Sequence, residues 1–177
     1  MENQVQILLQ KMCNKDEAEA YLYADKLAQI GTDEVIESLI GILKGEDIED
    51  AYLAARALSK IKNNQAALPV LMEIIHDNRN KNRNGLFVQM LEGFDLSDSF
   101  VDLFRIYLFG NFKSAALAKE YLDTLEFDIS PRVLKKMEKH WNHFKNNTAP
   151  DSEDFQIKNS EVMDMIQEIK SILSLGD

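Results

Sequence analysis

The chain has 177 residues, of which 45% are hydrophobic and 28% charged, with only 7 glycines and 3 prolines. This composition excludes a wholly disordered or fibrous chain, and the small number of turn-forming residues favours helices over β-strands. The 30 acidic residues outnumber the 20 basic ones and give a formal net charge of -10, so neither nucleic acid nor an anionic membrane is an expected partner.

The cysteine content and the first residues predict where the protein resides. Cys13 is the single cysteine, so no intramolecular disulfide can form, and this suits a reducing compartment. Residues 1–4 contain no basic segment, and the apolar run over residues 5–9 is too short for a signal or membrane segment. We therefore expect a cytoplasmic protein with no membrane partner.

The first predicted element is an amphipathic helix within residues 1–14. Val5, Leu8, Leu9 and Met12 fall on one of its faces. A short helix with one apolar face at the start of a repeat array is typical of a capping helix.

An internal repeat of helical hairpins follows. The predicted first helices of the hairpins cover residues 21–30, 52–61, 85–94 and 116–125. Their leading leucines recur at intervals of 31, 33 and 31 residues: Leu22, Leu53, Leu86 and Leu117. Two further apolar positions recur five and eight residues later: Leu27, Leu58, Leu91 and Leu122, then Ile30, Ile61, Phe94 and Leu125. We expect all three positions to face the core.

A second helix is predicted after each first helix. Apolar residues with the spacing i, i+3, i+4, i+7 occur over residues 36–43, 68–75 and 100–107, and this spacing is typical of a helix that faces a core. The fourth second helix is predicted to begin at Ser130 and Pro131, an N-cap residue followed by proline at the first helical position. Because one hairpin cannot bury its own apolar face, the hairpins are expected to stack.

Residues 51–77 resemble the HEAT repeats, in particular the short bacterial ones that also occur in phycobilisome-lyase-like proteins. They combine an alanine-rich first helix containing Arg56, a polar turn, and a second helix with Pro69 near its start and Asp77 at its end. The resemblance covers about residues 16–145 and implies an all-α fold. That fold is an α-solenoid, a HEAT/armadillo-like superhelix of about four hairpins whose second helices line a concave face. Tetratricopeptide repeats have a similar length, but their Trp, Gly-Tyr and Pro positions are missing here.

The remaining residues predict a linker and one more helix. Residues 146–160 are polar and acidic and include a proline, so they are predicted as a linker between the solenoid domain, residues 1–145, and a C-terminal helix. That amphipathic helix is predicted over residues 161–175, with Ser160 as its N-cap. Its apolar stripe consists of Val162, Met165, Ile166, Ile169, Ile172 and Leu173.

The chain contains few candidates for catalytic chemistry. His140 and His143 have the i, i+3 spacing of a zinc-ligand pair, but no cysteine cluster, no HExxH motif and no matched His-Glu pair accompany them. Cys13 has no histidine near it in the sequence, so a structural thiol is a better interpretation than a nucleophile. We therefore expect no catalytic residue, no metal and no cofactor, and a protein that is not an enzyme.

The helix predicted over residues 100–109 is apolar on all sides. Beyond its core positions it carries Val101, Ile106, Leu108 and Phe109, and a helix of this kind is normally covered all round. Three covers are considered: the chain's own C-terminal helix, a second copy of the chain in a homodimer, and a helix of another protein. The candidate partner-binding residues are Val101, Arg105, Ile106, Leu108, Phe109, Ile166 and Ile169.

The function predicted from the resemblance and the charge pattern is a non-catalytic protein–protein interaction module, a HEAT-repeat scaffold or adaptor that binds its partner on the concave face. One alternative is a HEAT-like enzyme, either a lyase or a DNA-glycosylase-like protein. For the latter, Arg132, Lys135, Lys136 and Lys139, together with the basic turn 79–83, would bind phosphates. The other alternative is an acidic immunity protein that neutralises a basic toxin.

Overall fold

The computed structural model describes residues 2–174, which form α-helices joined by short loops and contain no β-strand. The all-α prediction is confirmed. Met1 and Leu175, the outermost residues of the two predicted terminal helices, lie outside the described residues. The helices of the described part are α1 Glu2–Met12, α2 Ala20–Ile30, α3 Asp33–Leu43, α4 Ile48–Ser59, α5 Leu68–His76, α6 Asn84–Met90, α7 Phe100–Phe109, α8 Phe112–Thr124, α9 Pro131–Asn147 and α10 Glu153–Ser174.

The chain divides into two compact units after Asp95. The first unit contains α1 to α6, and the second contains α7 to α10. This division differs from the predicted boundaries at residues 145 and 160, because α10 packs against α9 and belongs to the same unit.

The first unit has the hairpin arrangement that the repeat pattern predicts. The first helices α2, α4 and α6 pack side by side, and the second helices α3 and α5 contact each other. Leu27 and Leu58 from the first helices and Leu39 and Leu71 from the second helices are fully buried between them. Neighbouring hairpins therefore bury the apolar faces that a single hairpin would leave exposed.

The predicted core position at the start of each first helix is wrong. Leu22 and Leu86 are 38% and 42% exposed, and Leu53 and Leu117 are only half-buried. A residue five positions before another lies about 140° away from it around an α-helix, so Leu22 cannot share the buried face of Leu27. Other residues of the first helices occupy the core instead. They are alanines of α2 and α4 and the two residues that follow Leu86 on α6: Ala24, Ala54, Ala55, Ala57, Phe87 and Val88.

Two further features join neighbouring hairpins in the first unit. The guanidinium of Arg56 on α4 donates two hydrogen bonds of 3.1 Å to the carboxylate of Asp25 on α2, and this pairing lowers the pKa of Asp25. The buried amide of Asn64 donates to the carbonyl of Leu58 at 2.8 Å and to that of Gly93 at 2.9 Å. Asn64 thereby holds the end of α4 against the 3-10 turn at residues 91–93.

In the second unit, α7 is enclosed by its neighbours. It packs against both α8 and α9, and its buried residues include Ile106 and Leu108 as well as the core position Leu103. Phe109 remains 40% exposed, and its ring lies against those of His143 and Phe144 on α9. The apolar surplus of α7 is therefore covered largely by the hairpin that follows it.

The predicted linker over residues 146–160 is wrong for most of its length. Helix α9 continues to Asn147, and α10 begins at Glu153, where the hydroxyl of Ser152 accepts a hydrogen bond from the backbone N–H of Phe155. The ring of Phe155 stacks on Trp141 and Phe144 at centroid distances of 5.9 and 6.3 Å. This packing holds residues 153–160 as the first two turns of α10.

Lys158 and Glu161 fasten α10 to the end of α7. The ammonium of Lys158, which is only 7% exposed, donates to the carbonyl of Leu108 at 3.2 Å and pairs with Asp154 at 2.9 Å. A cation at the C-terminal end of a helix is favourable because the last carbonyls there are unpaired. The hydroxyl of Tyr107 donates to the carboxylate of Glu161, and burial together with this bond raises the pKa of Tyr107. Of the three covers considered, the chain's own C-terminal helix therefore contacts α7 at this end.

Candidate functional site

A groove of about 480 Å³ runs between α7 and α9 in the second unit. It begins at Ser130, whose hydroxyl accepts a hydrogen bond from the backbone N–H of Val133 and so starts α9 as the sequence predicts. The lining residues are Asp98, Val101, Asp102, Arg105, Ser130, Arg132, Val133, Lys136, Lys139 and His140.

The α9 wall of the groove is positively charged. Arg132, Lys136 and Lys139 recur at spacings of four and three residues, which places them on one side of the helix, and Lys135 lies beside them. Among the described residues, none of these four cations forms an ion pair, whereas Glu138 on the same helix pairs with another cation. Uncompensated positive charge in a chain of net charge -10 makes this wall a candidate binding surface.

The α7 wall has a different character. Asp98 and Asp102 line it, and the guanidinium of Arg105 pairs with Asp102 at 3.2 Å. The two walls thus present opposite signs of charge, with unpaired cations on the α9 side and acidic residues on the α7 side. A ligand in the groove would need negative groups facing one wall and neutral or hydrogen-bond-donating groups facing the other.

Apolar side chains also line the groove. Val101 and Val133 are half-buried in the groove. An adjoining cavity of about 380 Å³ shares Arg105 with the groove and is bounded by the exposed ring of Phe109. This arrangement combines a charged rim with accessible apolar surface, as protein-binding surfaces do.

His140 lies where the groove meets the adjoining cavity. Burial lowers the pKa of its imidazole from the ordinary value of 6.5, and the neighbouring cations Arg105 and Lys139 lower it further, against a smaller opposing effect of Asp102. The neutral form of His140 is therefore favoured in the folded protein at neutral pH.

The lowered pKa of His140 predicts how this histidine affects stability. As the pH falls from about 7 to about 5, the unfolded chain takes up a proton at this residue before the folded protein does, so folding stability is lost. We expect His140→Gln to reduce that loss in urea unfolding at a series of pH values, relative to the unmodified protein. His143→Gln, an identical change at an exposed position, is the control. Equal pH profiles for His140→Gln and the unmodified protein would contradict the prediction.

The candidate partner-binding residues separate into accessible and buried groups. Val101 and Arg105 line the groove, and Phe109 adjoins it. The other four, Ile106, Leu108, Ile166 and Ile169, are buried within the second unit, so they hold its helices together. The cations Arg132, Lys136 and Lys139 are absent from the predicted protein-binding set, although their i, i+4, i+7 spacing is visible in the sequence.

The repeat architecture agrees with a comparison against known families. Residues 5–92, which extend from α1 to the 3-10 turn after α6, match the family model for HEAT repeats. This match identifies residues 5–92 as HEAT repeats. No curated protein and no solved structure matched the chain. The resemblance to the phycobilisome-lyase-like subgroup of HEAT repeats stays a prediction.

HEAT repeats are commonly protein-interaction scaffolds. The α7–α9 groove lies beyond the matched residues, but α7 and α9 are the second helices of the third and fourth hairpins in the predicted repeat pattern. Second helices are those that line the binding face in stacked hairpin repeats of this kind.

Other features of the described residues are chemically less distinctive. A cavity of about 650 Å³ in the first unit lies beside α3 and α5, but Arg79 at its edge is paired with Asp77 at 2.6 Å. Within residues 2–174, no group of three or more His, Cys, Asp and Glu residues could hold a metal ion. None of the described helices is both long enough and apolar enough to cross a membrane.

Proposed function

We propose that this HEAT-repeat chain is a non-catalytic protein-interaction module and that the α7–α9 groove binds its partner. The observation that carries the proposal is the combination of unpaired cations on α9 with accessible apolar side chains in the same groove. Binding energy at protein surfaces comes from apolar contact, and charge complementarity provides specificity and fast association.

The titratable groups of the described chain favour binding over catalysis. Burial raises the pKa of the Cys13 thiol, and the nearby carboxylate of Asp50 raises it further, so the nucleophilic thiolate is disfavoured. In the groove, the hydroxyl of Ser130 is engaged as the N-cap of α9. A reducing compartment suits the single thiol, so we place the protein in the cytoplasm in this proposal.

Site-specific crosslinking in cells tests the proposal. A photoreactive amino acid at Val101, inside the groove, should crosslink one defined protein, identified by mass spectrometry and then purified for a direct binding measurement. The same group at Leu22, which is more exposed than Val101 but lies in the first unit, should not crosslink that protein. Equal yields at both positions would contradict groove binding.

A charge-reversal pair supplies the matched control. In Lys136→Glu/Lys139→Glu the crosslink at Val101 and the affinity for the purified partner should both be lost. Lys62→Glu/Lys113→Glu makes the same change in net charge at two other exposed lysines that form no ion pair among the described residues. This control variant should retain both the crosslink at Val101 and the affinity for the partner. Retention of the partner by the first pair would overturn the proposal.

A further inference from the structure

The spacing of the cations along the groove indicates which kind of protein segment binds there. This inference rests on the proposed function. We infer that the α7–α9 groove binds an amphipathic helix of the partner that carries an acidic stripe next to apolar residues.

The cations on α9 have the periodicity of a helix. Arg132, Lys136 and Lys139 stand at i, i+4 and i+7, so they are separated along the helix axis by about 6 and about 4.5 Å. A partner helix that runs parallel to α9 presents the same two intervals when its carboxylates stand at i, i+4 and i+7. A partner helix that runs antiparallel to α9 presents them when its carboxylates stand at i, i+3 and i+7. Each carboxylate then meets one cation that has no other ionic partner among the described residues.

The opposite wall distinguishes a protein segment from a nucleic acid. A phosphodiester strand carries a charge on every nucleotide, so it would bring negative charge against Asp98 and Asp102 as well as against the cations. An amphipathic helix can confine its acids to the stripe that faces α9. The net charge of -10 also repels a polyanion at long range. A short acidic stripe carries few charges, so the attraction of the nearby α9 cations acts on it most strongly.

The apolar surface supplies the contact that holds the helix in place. Val101 on α7 and Val133 on α9 also line the groove, and the 40% exposed ring of Phe109 lies at the adjoining cavity. A leucine or phenylalanine on the partner helix, placed beside its acidic stripe, would cover these groups. This is the recognition mode in which an amphipathic helix inserts its apolar face into a groove.

Fluorescence anisotropy with labelled probes tests the inference on the full chain. The first probe is a helical peptide of about 18 residues with Glu at i, i+4, i+7 and Leu on the adjoining face. The second has the same composition with the Glu residues moved to the side opposite Leu, and the third is a DNA duplex with the same label. We expect saturable binding of the first probe and binding of the second and third that is weaker by about tenfold or more.

The charge-reversal pairs make the result specific to the groove. Lys136→Glu/Lys139→Glu should weaken binding of the first probe by about tenfold or more, while Lys62→Glu/Lys113→Glu should change it by less than about twofold. Equal weakening by both pairs would overturn the inference, because it would reflect net charge alone. Preferential binding of the DNA duplex would overturn it in favour of a nucleic acid.

Three further outcomes are decisive. Self-association that increases with concentration and disappears in Lys136→Glu/Lys139→Glu would make a second copy of the chain the occupant and overturn the inference. If the crosslinked partner still depends on Lys136 and Lys139 but the acidic helical probe does not bind, the groove function stands and only the acidic-helix inference fails. If the probe binds and no partner is crosslinked at Val101, the groove recognises acidic helices and the proposed cellular function fails.

Discussion

Replacing Gly93 by alanine should destabilise the first unit by about 3 kcal/mol or more, although the change adds only one methyl group. A Cβ atom at this position would lie 2.6 Å from the carbonyl carbon and 2.7 Å from the Cα of Ser59, and closer still to the carbonyl oxygen. These are backbone atoms at the end of α4, so no side-chain rotation can relieve the clash. The 3-10 turn at residues 91–93 must move away from α4.

That movement would also break a buried hydrogen-bond network. The amide of Asn64 bonds to the carbonyls of both Leu58 and Gly93, and separating α4 from the turn leaves at least one of these groups without its partner. An unsatisfied buried polar group costs about 1 to 3 kcal/mol. The overpacking and the lost hydrogen bond therefore act in the same direction.

Gly41→Ala is the matched control for Gly93→Ala. Gly41 lies within α3, is exposed, and has no atom within 4 Å of a Cβ built on it. Alanine there should stabilise the unit by about 0.5 to 1 kcal/mol, because glycine is the poorer helix former. Urea unfolding followed by far-ultraviolet circular dichroism should shift to lower denaturant for Gly93→Ala and slightly higher for Gly41→Ala. A Gly93→Ala midpoint equal to that of the unmodified protein would refute the close contact with Ser59.

The second helices were predictable from sequence because their core residues are large. Leu39, Leu43, Leu71 and Ile75 follow the i, i+3, i+4, i+7 pattern, and all four are buried. The first helices place alanines against their neighbours, and alanine contributes little to a hydrophobic pattern. Leu22 was assigned to the core because it is large and apolar, although it lies on the outer side of α2.

The beginning of α10 was not predictable from local composition. Residues 153–160 are mostly polar, which is typical of a linker, yet Phe155 and Lys158 are fixed by contacts with helices that precede them in the chain. A buried lysine that caps another helix depends on tertiary structure, so a local pattern gives no indication of it.

The groove was predictable only in part, for an electrostatic reason. The basic residues of α9 are evident in the sequence, but which of them remain unpaired depends on contacts with other helices. Arg105 is neutralised by Asp102 on its own helix, and Glu138 is drawn to Lys170 on α10, which leaves Lys136 and Lys139 unpaired among the described residues. Without this context, the same basic residues suggested phosphate binding in the DNA-glycosylase-like alternative.

The double substitution Ile166→Asp/Ile169→Asp should disrupt the second unit. Both isoleucines are buried where α10 packs, and Val162, one turn earlier on the same face, is fully buried. Placing two carboxylates there, with no cation assigned to them, should lower the free energy of unfolding by about 4 kcal/mol or more. The expected signs are binding of a hydrophobic dye and rapid proteolysis near α10.

The control for this substitution lies on the same helix. Met163→Asp/Ile172→Asp also replaces two apolar residues by aspartate, but these side chains are 52% and 47% exposed, so the loss should stay within about 1 kcal/mol. The two variants have the same net charge and similar helix propensity. A difference between them therefore measures burial on α10.

Trp141 provides a direct readout of this packing. It is the single tryptophan, it is buried in the second unit, and its ring stacks on Phe155 at the start of α10. On heating, the emission of Trp141 should shift to longer wavelength as the second unit unfolds. This transition should occur at a lower temperature in Ile166→Asp/Ile169→Asp than in Met163→Asp/Ile172→Asp. Coincident transitions would contradict the prediction, because they would mean that burial of Ile166 and Ile169 does not stabilise the packing of α10 around Trp141.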